Sequence, residues 1–258
     1  MTTATIRRVD GKDARFYDTP GGRYPSVTTI LSCISKPALI PWARNTALES
    51  VRQVLLDIYN KQQVAHRNES GGFDDPWLLM DEERIAEIIA TAKKRPDEIK
   101  DTAADRGTRA HAAIEAYIKG QRGGFEPDCE WAVLNFSEWL DKSGLTIVAT
   151  ERMVWSAKLR AAGTMDFAAV DKLGTRWVGD LKTGNALYVE AKAQVAAYAD
   201  MYDGGLADKT CILRVGKDKE EFEVWESPNW RADLNGFLAA RDLWEWLNKK
   251  PAKEIANG

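Results

Sequence analysis

Three short apolar segments, each closed by glycine or a charged residue, follow one another in the second half of the chain. They cover residues 146–151, 163–170 and 176–184. Runs of this length and composition are typical of buried β-strands. The intervening Lys172-Leu173-Gly174 favours an antiparallel hairpin between the second and third segments.

Helical patterns dominate the first half of the chain. A small hairpin is expected within residues 1–25, and Ser26 is suited to cap a short helix that continues to residue 35. Pro96 is expected to open a long helix that ends at Gly120. Further helices are expected at residues 42–62, 81–94 and 128–142.

The remaining segments predict a mixed fold. The alanine-rich residues 188–199 predict a helix, residues 210–215 and 221–225 predict two strands joined by a charged turn at 217–219, and a last helix is expected at 229–248. The fold class is therefore α/β, with a mixed central sheet flanked by helices and an N-terminal helical elaboration. We expect one domain over residues 1–258, made of a hairpin (1–25), a helical layer (26–143) and a sheet core (144–258).

The predicted strands carry a few charged side chains at positions suited to a shared site. Asp180 and Lys182 are two residues apart, so both leave one face of their strand while Leu181 points into the core on the other. The predicted hairpin brings Asp166 beside Asp180. Two desolvated carboxylates repel unless a cation separates them, and Mg²⁺ or Mn²⁺ suits a site built from carboxylate oxygens. Taken alone, Asp-x-Lys also fits a surface ion pair.

Four motifs in a fixed order extend this site. They are His111 in a Gly-Thr-x-x-His helix, Gly163-Thr-Met-Asp166, Asp180-Leu-Lys182, and Gln194-x-x-x-Tyr198. The set resembles the PD-(D/E)xK nuclease superfamily, and within it the RecB-type exonucleases, a group that includes CRISPR-adaptation nucleases and the mitochondrial genome maintenance exonuclease. The resemblance covers about residues 100–205 and implies a restriction-endonuclease-like sheet. The proline that names the superfamily is absent, because Met165 precedes Asp166.

The resemblance also implies roles for individual residues. It makes His111, Asp166, Asp180 and the carbonyl of Leu181 metal ligands, with Lys182 as the catalytic lysine. The implied catalytic residues are Asp166, Asp180, Lys182 and Glu151. Two further residues, Gln194 and Tyr198, are implied to brace the site or to touch nucleic acid. Each has an ordinary alternative, since a helix histidine is often a hydrogen-bonded core residue, Gln194 and Tyr198 fit helix packing, and Glu151 fits a solvated strand end.

Composition limits the kinds of binding partner and the cellular compartment that we expect for the chain. A net charge of −3 argues against a protein that coats nucleic acid through a global positive field, so any contact with DNA is expected to be local. Candidate donors beside the site are Arg152, Lys158 and Arg160, and Trp42 and Trp155 are expected exceptions to the burial of most of the ten tryptophans. The three cysteines, widely spaced, predict no disulfide framework and no iron–sulfur cluster. No secretion signal or membrane span is expected, which favours the cytoplasm of a bacterium or of a phage-infected cell.

Two classes of function compete. The first is a Mg²⁺- or Mn²⁺-dependent DNA exonuclease that acts on single-stranded DNA or on free ends in recombination, repair or replication. The second is a non-catalytic nucleic-acid-binding or scaffold protein on the same fold, and a structure-selective endonuclease is a third alternative. The acidic residues beside a lysine favour the first class, because a scaffold has no need of mutually repelling carboxylates. A recombination or annealing protein is a further expected partner.

Overall fold

The computed structural model of the chain describes residues 5–12, 14–68, 81–216 and 221–249, and for residues 61–68 it describes the backbone alone. The fold class is α/β, as expected from the sequence. The chain divides into two compact units, one made of residues 1–35 with 106–258 and the other of residues 36–105. The expected single nuclease domain stays a prediction.

The first unit begins with a small antiparallel sheet. Strands β2 and β3 form the expected hairpin, and a further strand, β1, pairs with the outer side of β2. The side chain of Ser26 accepts a hydrogen bond from the backbone N–H of Thr29, which caps α1 as expected, although α1 ends four residues earlier than residue 35. The bounds are Arg7–Asp10 for β1, Arg15–Thr19 for β2, Gly22–Pro25 for β3 and Val27–Leu31 for α1.

Long helices follow, and one of them corrects the sequence analysis. Helix α2 spans Leu39–Asn68 and helix α3 spans Glu82–Ile118, with Pro96 inside α3 instead of at its start. The prediction of two helices separated at Pro96 was therefore wrong. Strong helix formers flank this proline, and they stabilise the helix enough to tolerate one lost hydrogen bond. Residues 70–76, whose glycines and proline favour a loop, lie outside the described residues.

The main sheet has five strands in the order β4-β5-β6-β7-β8. Strand β6 runs parallel to β7, and the other neighbours are antiparallel, so the sheet is mixed as expected. Helix α5 makes the crossover that a parallel pair requires. The strands are Thr146–Ser156, Ala161–Val170, Arg176–Lys182, Lys209–Val215 and Phe222–Ser227, and helices α4, α5 and α6 are Glu130–Ser143, Val189–Met201 and Trp230–Leu247. The charged turn expected at 217–219 lies outside the described residues.

Each face of this sheet is covered by its own apolar cluster. One cluster packs α1, α5 and α6 against one face, and the other packs α4 and the end of α3 against the opposite face. In the second cluster, Phe167 of β5 meets the rings of Phe136 and Trp139 at centroid distances of 6.0 and 5.9 Å. Trp139 is buried, whereas Trp246 is 70% exposed, so burial of the helix tryptophans is only partly confirmed.

Candidate metal and phosphodiester site

The β5–β6 hairpin brings the two predicted carboxylates together. Phe167 of β5 pairs with Gly179 of β6, and the next positions along the two strands are Asp166 and Asp180. The backbone N–H of Leu181 donates to Oδ2 of Asp166 at 2.5 Å. Leu181 itself is buried in the cluster on the α4 face, so its side chain and the two flanking charges leave the strand on opposite faces.

Asp180, Lys182 and Gln194 form a closed polar network on the α5 face. Lys182 Nζ lies 2.5 Å from Oδ2 of Asp180 and donates to Oε1 of Gln194 at 3.1 Å. The Gln194 amide donates to Oδ1 of Asp180 at 2.9 Å and contacts the Tyr198 hydroxyl at 3.4 Å. Because one amide contacts both ends of the ion pair, Gln194 holds the lysine and the carboxylate in a single arrangement.

Two glycines of the motifs allow close approach to this network. A Cβ on Gly163 would lie 2.5 Å from the ring of Tyr198, and a Cβ on Gly107 would lie 2.8 Å from Oγ1 of Thr183. Gly163 thus makes room for the α5 tyrosine against β5. Gly107 likewise lets the His111 helix approach the residue that follows β6.

The alternation of side chains along β5 breaks at the site. Gly163 faces Tyr198 on α5, whereas Phe167, four residues on, faces α4. An uninterrupted strand would put both on one face. On the neighbouring strand β4, Glu151 lies between Thr150, which pairs with Phe167, and Arg152, which pairs with Met165. The φ of Glu151 is 46°, a backbone conformation that costs a residue with a side chain about 1 kcal/mol or more.

This break explains how Asp166 is reached from two sides. Leu181 donates to one oxygen from β6, and His111 approaches the other from α3, with Nδ1 of the imidazole 3.5 Å from Oδ1. Glu151 joins them, and ligand atoms of His111, Glu151 and Asp166 all lie within 4.8 Å of one another. Strand β4 continues through Glu151 to Ser156, so the expectation of a strand end at that residue was wrong.

The electrostatics of this three-residue group are those of an acidic, partly desolvated pocket. Burial lowers the pKa of His111, but the charge of Asp166 outweighs it and the pKa lies above its ordinary value. Burial raises the pKa of Asp166, and the charges of His111 and Lys182 reverse that effect, so the pKa is lowered. Burial raises the pKa of Glu151 to about 7, and the nearby charge of Asp166 adds to this shift.

Burial is the largest single influence on the pKa values of Asp180 and Lys182, the ion pair beside this group. Asp180 is 1% exposed, and this burial, reinforced by Asp166, raises its pKa despite the neighbouring Lys182. Burial lowers the pKa of Lys182, but the charges of Asp180 and Asp166 outweigh it, so the pKa lies above its ordinary value. Lys182 therefore stays an ammonium at neutral pH and acts as a donor of hydrogen bonds.

The residues present fit a hard divalent cation. Glu151 and Asp166 supply carboxylate oxygens and His111 supplies an imidazole nitrogen, a donor set that suits such an ion. Asp180, for which the resemblance implies ligation, directs its oxygens to Lys182 and Gln194. The sequence reasoning missed Glu115. The charge of Glu115 makes a lesser contribution to the raised pKa of Glu151. Glu115 follows His111 by four residues, and this helical spacing is the signal that places the two side chains near one another.

Comparison with protein-family models and with curated proteins gives no match. Among solved structures, the chain is similar to one described as "Crystal structure of SSO0001", with 12% sequence identity over 77% of this chain and 88% of that chain and a TM-score of 0.32. Among the described residues, no helix is both long and apolar enough to cross a membrane.

Proposed function

We propose that the protein is a metal-dependent DNA exonuclease that hydrolyses phosphodiester bonds. The observation that carries the proposal is the convergence of two sets of side chains around Asp166. One set, His111 and Glu151, offers ligand atoms within 4.8 Å of it and of each other, and the other is the ion pair of buried Asp180 and partly exposed Lys182. The motif resemblance to RecB-type exonucleases supports the same reading.

The group of His111, Glu151 and Asp166 would hold Mg²⁺ or Mn²⁺. When bound, such an ion supplies Lewis-acid polarisation of a phosphate oxygen and lowers the pKa of coordinated water. Lys182 is held as an ammonium by Asp180 and Gln194. It stabilises the negative charge that develops on the non-bridging phosphate oxygens in the transition state. Gln194 fixes the direction of that ammonium, and Tyr198 supports Gln194 from within the helix.

The substrate and setting are part of the proposal. We propose DNA with single-stranded character or free ends as the substrate, recombination, repair or replication as the process, and the cytoplasm of a bacterium or phage-infected cell as the compartment. A recombination or annealing protein is the proposed protein partner. A non-catalytic nucleic-acid-binding protein is the second candidate, because Asp180 and Lys182 lie 2.5 Å apart, as in a structural ion pair.

An end-labelled cleavage assay tests this proposal. Wild-type protein is incubated with linear and circular single-stranded and double-stranded DNA in Mg²⁺, Mn²⁺ or chelator. We expect metal-dependent shortening of linear substrates, and a loss of about 100-fold or more in Lys182→Ala and in Asp180→Ala, as for removal of one transition-state donor. Lys142→Ala, which removes an exposed lysine of α4, is the matched control.

The outcomes separate the candidates. Equal activity in wild type and both variants would refute the assigned roles. DNA binding without cleavage in any metal would favour the non-catalytic candidate. Efficient cleavage of circular substrates would favour an endonuclease.

A further inference from the structure

A cavity of about 440 Å³ is lined in part by β4, an edge strand of the main sheet. One of the residues that line it is Arg152, which follows Glu151 in the chain. The other lining residues come from β4, from the chain before β1 and from the end of α5 with the short 3-10 turn after it: Ile6, Met153, Val154, Trp155, Met201, Tyr202 and Asp203.

Arg152 differs from three other arginines of the first unit. Arg7 pairs with Asp18, Arg15 with Asp10, and Arg160 with Glu245. Within the part of the chain that the structure describes, Arg152 forms neither an ion pair nor a side-chain hydrogen bond, and Asp203, the acidic residue of the cavity lining, is not paired with it. A guanidinium with five donors and no paired carboxylate suits a phosphate.

Trp155 supplies a rigid aromatic wall. Its indole stacks on the ring of Tyr24 with centroids 6.0 Å apart and planes 15° from parallel. The Tyr24 hydroxyl donates to the carbonyl of Gly21 at 2.9 Å, and a Cβ on Gly21 would meet the indole at 2.3 Å. The indole is therefore clamped in place by the small sheet, and such a preorganised ring is suited to stacking a base at low entropic cost.

We propose that this cavity binds a nucleotide that flanks the scissile phosphate of a single-stranded nucleic acid, with its phosphate on Arg152 and its base against Trp155. The inference rests on the proposed nuclease function and extends it to substrate choice. A base paired in a duplex is stacked between its neighbours, so its face is not free for the indole. The site therefore favours a single strand over a duplex.

The test uses two cleavage substrates and one binding assay. Arg152→Gln is measured against Arg176→Gln, which removes the same charge from the start of β6, where Arg176 pairs with Asp208. Cleavage is followed on single-stranded oligothymidylate and on the p-nitrophenyl ester of thymidine 5′-phosphate, which has no flanking nucleotide. Binding of labelled oligothymidylate is followed by fluorescence anisotropy in chelator at several salt concentrations.

We expect Arg152→Gln to raise KM for oligothymidylate and to weaken its binding about tenfold, as for loss of a charged hydrogen bond. The slope of log affinity against log salt falls by about 0.7, the contribution of one phosphate contact to a single strand. Kinetics on the small ester stay at the wild-type level, and Arg176→Gln matches wild type in every assay. Trp155→Leu weakens oligothymidylate binding without changing the salt slope.

Wild-type binding and salt slope in Arg152→Gln would overturn the inference and leave the nuclease proposal standing. Equal losses on the small ester and on oligothymidylate would also overturn it, because Arg152 would then act at the scissile phosphate. If the wild type cleaves neither substrate, the nuclease proposal is wrong. The anisotropy comparison then decides whether the cavity binds a single strand.

Discussion

Gly163→Ala is the sharpest test of how the site is packed. The added Cβ would lie 2.5 Å from a ring carbon of Tyr198 and 3.1 Å from its hydroxyl oxygen, well inside ordinary van der Waals contact. Tyr198 is 3% exposed, so its ring has no free space into which to withdraw. Overpacking of this kind costs about 1–3 kcal/mol of unfolding free energy.

The same change is expected to reduce cleavage, because Tyr198 contacts Gln194 and Gln194 orients both Asp180 and Lys182. Equilibrium unfolding in urea measures the stability, and cleavage of labelled DNA measures the activity. Gly123→Ala is the matched control, because a Cβ there has no neighbour within 4 Å, and its effect is expected to stay within about 0.5 kcal/mol.

A second substitution sharpens the result. Tyr198→Leu removes the ring, so Gly163→Ala should cost less in that background than in the wild type, and the difference is a direct coupling energy. An unfolding free energy of Gly163→Ala equal to that of Gly123→Ala would refute the packing argument. Equal costs in the two backgrounds would refute it as well.

Two further predictions concern the metal group. Burial raises the pKa of Glu151 from 4.5 to about 7, so the folded protein binds more protons than the unfolded chain in this window, and without added metal its stability falls as pH rises through it. The melting temperature of Glu151→Gln should therefore fall less than that of the wild type from about pH 5 to about pH 8, and parallel curves would contradict this. His111→Ala should raise the Mn²⁺ concentration for half-maximal cleavage by about tenfold or more, measured by Mn²⁺ titration, and an unchanged requirement would remove His111 from the ligand set.

The parts of the site that local rules govern were predictable from the sequence. The period of two along a strand puts Asp180 and Lys182 on one face, and a glycine turn at residue 174 pairs their strand with the one bearing Asp166. The helical spacing of four puts Gln194 and Tyr198 on one side of α5, where they contact one another. These rules depend only on residues close in the chain or joined by one hairpin.

The parts that depend on tertiary context were not predictable. Glu151 adopts a positive φ inside a strand, which its own sequence disfavours and which the surrounding pairing imposes. The break in alternation along β5 lies opposite this residue, and no period along the sequence signals it. Pro96 stays inside α3 because flanking helix formers outweigh its local cost, a balance that single-residue rules resolve poorly.

The most direct test of the account is the location of a bound ion. In crystals soaked with Mn²⁺, an anomalous difference map recorded near the manganese absorption edge should show a peak about 2 Å from a nitrogen of His111 and from carboxylate oxygens of Glu151 and Asp166. A map with manganese bound elsewhere on the protein and no peak within bonding distance of these three residues would contradict the account.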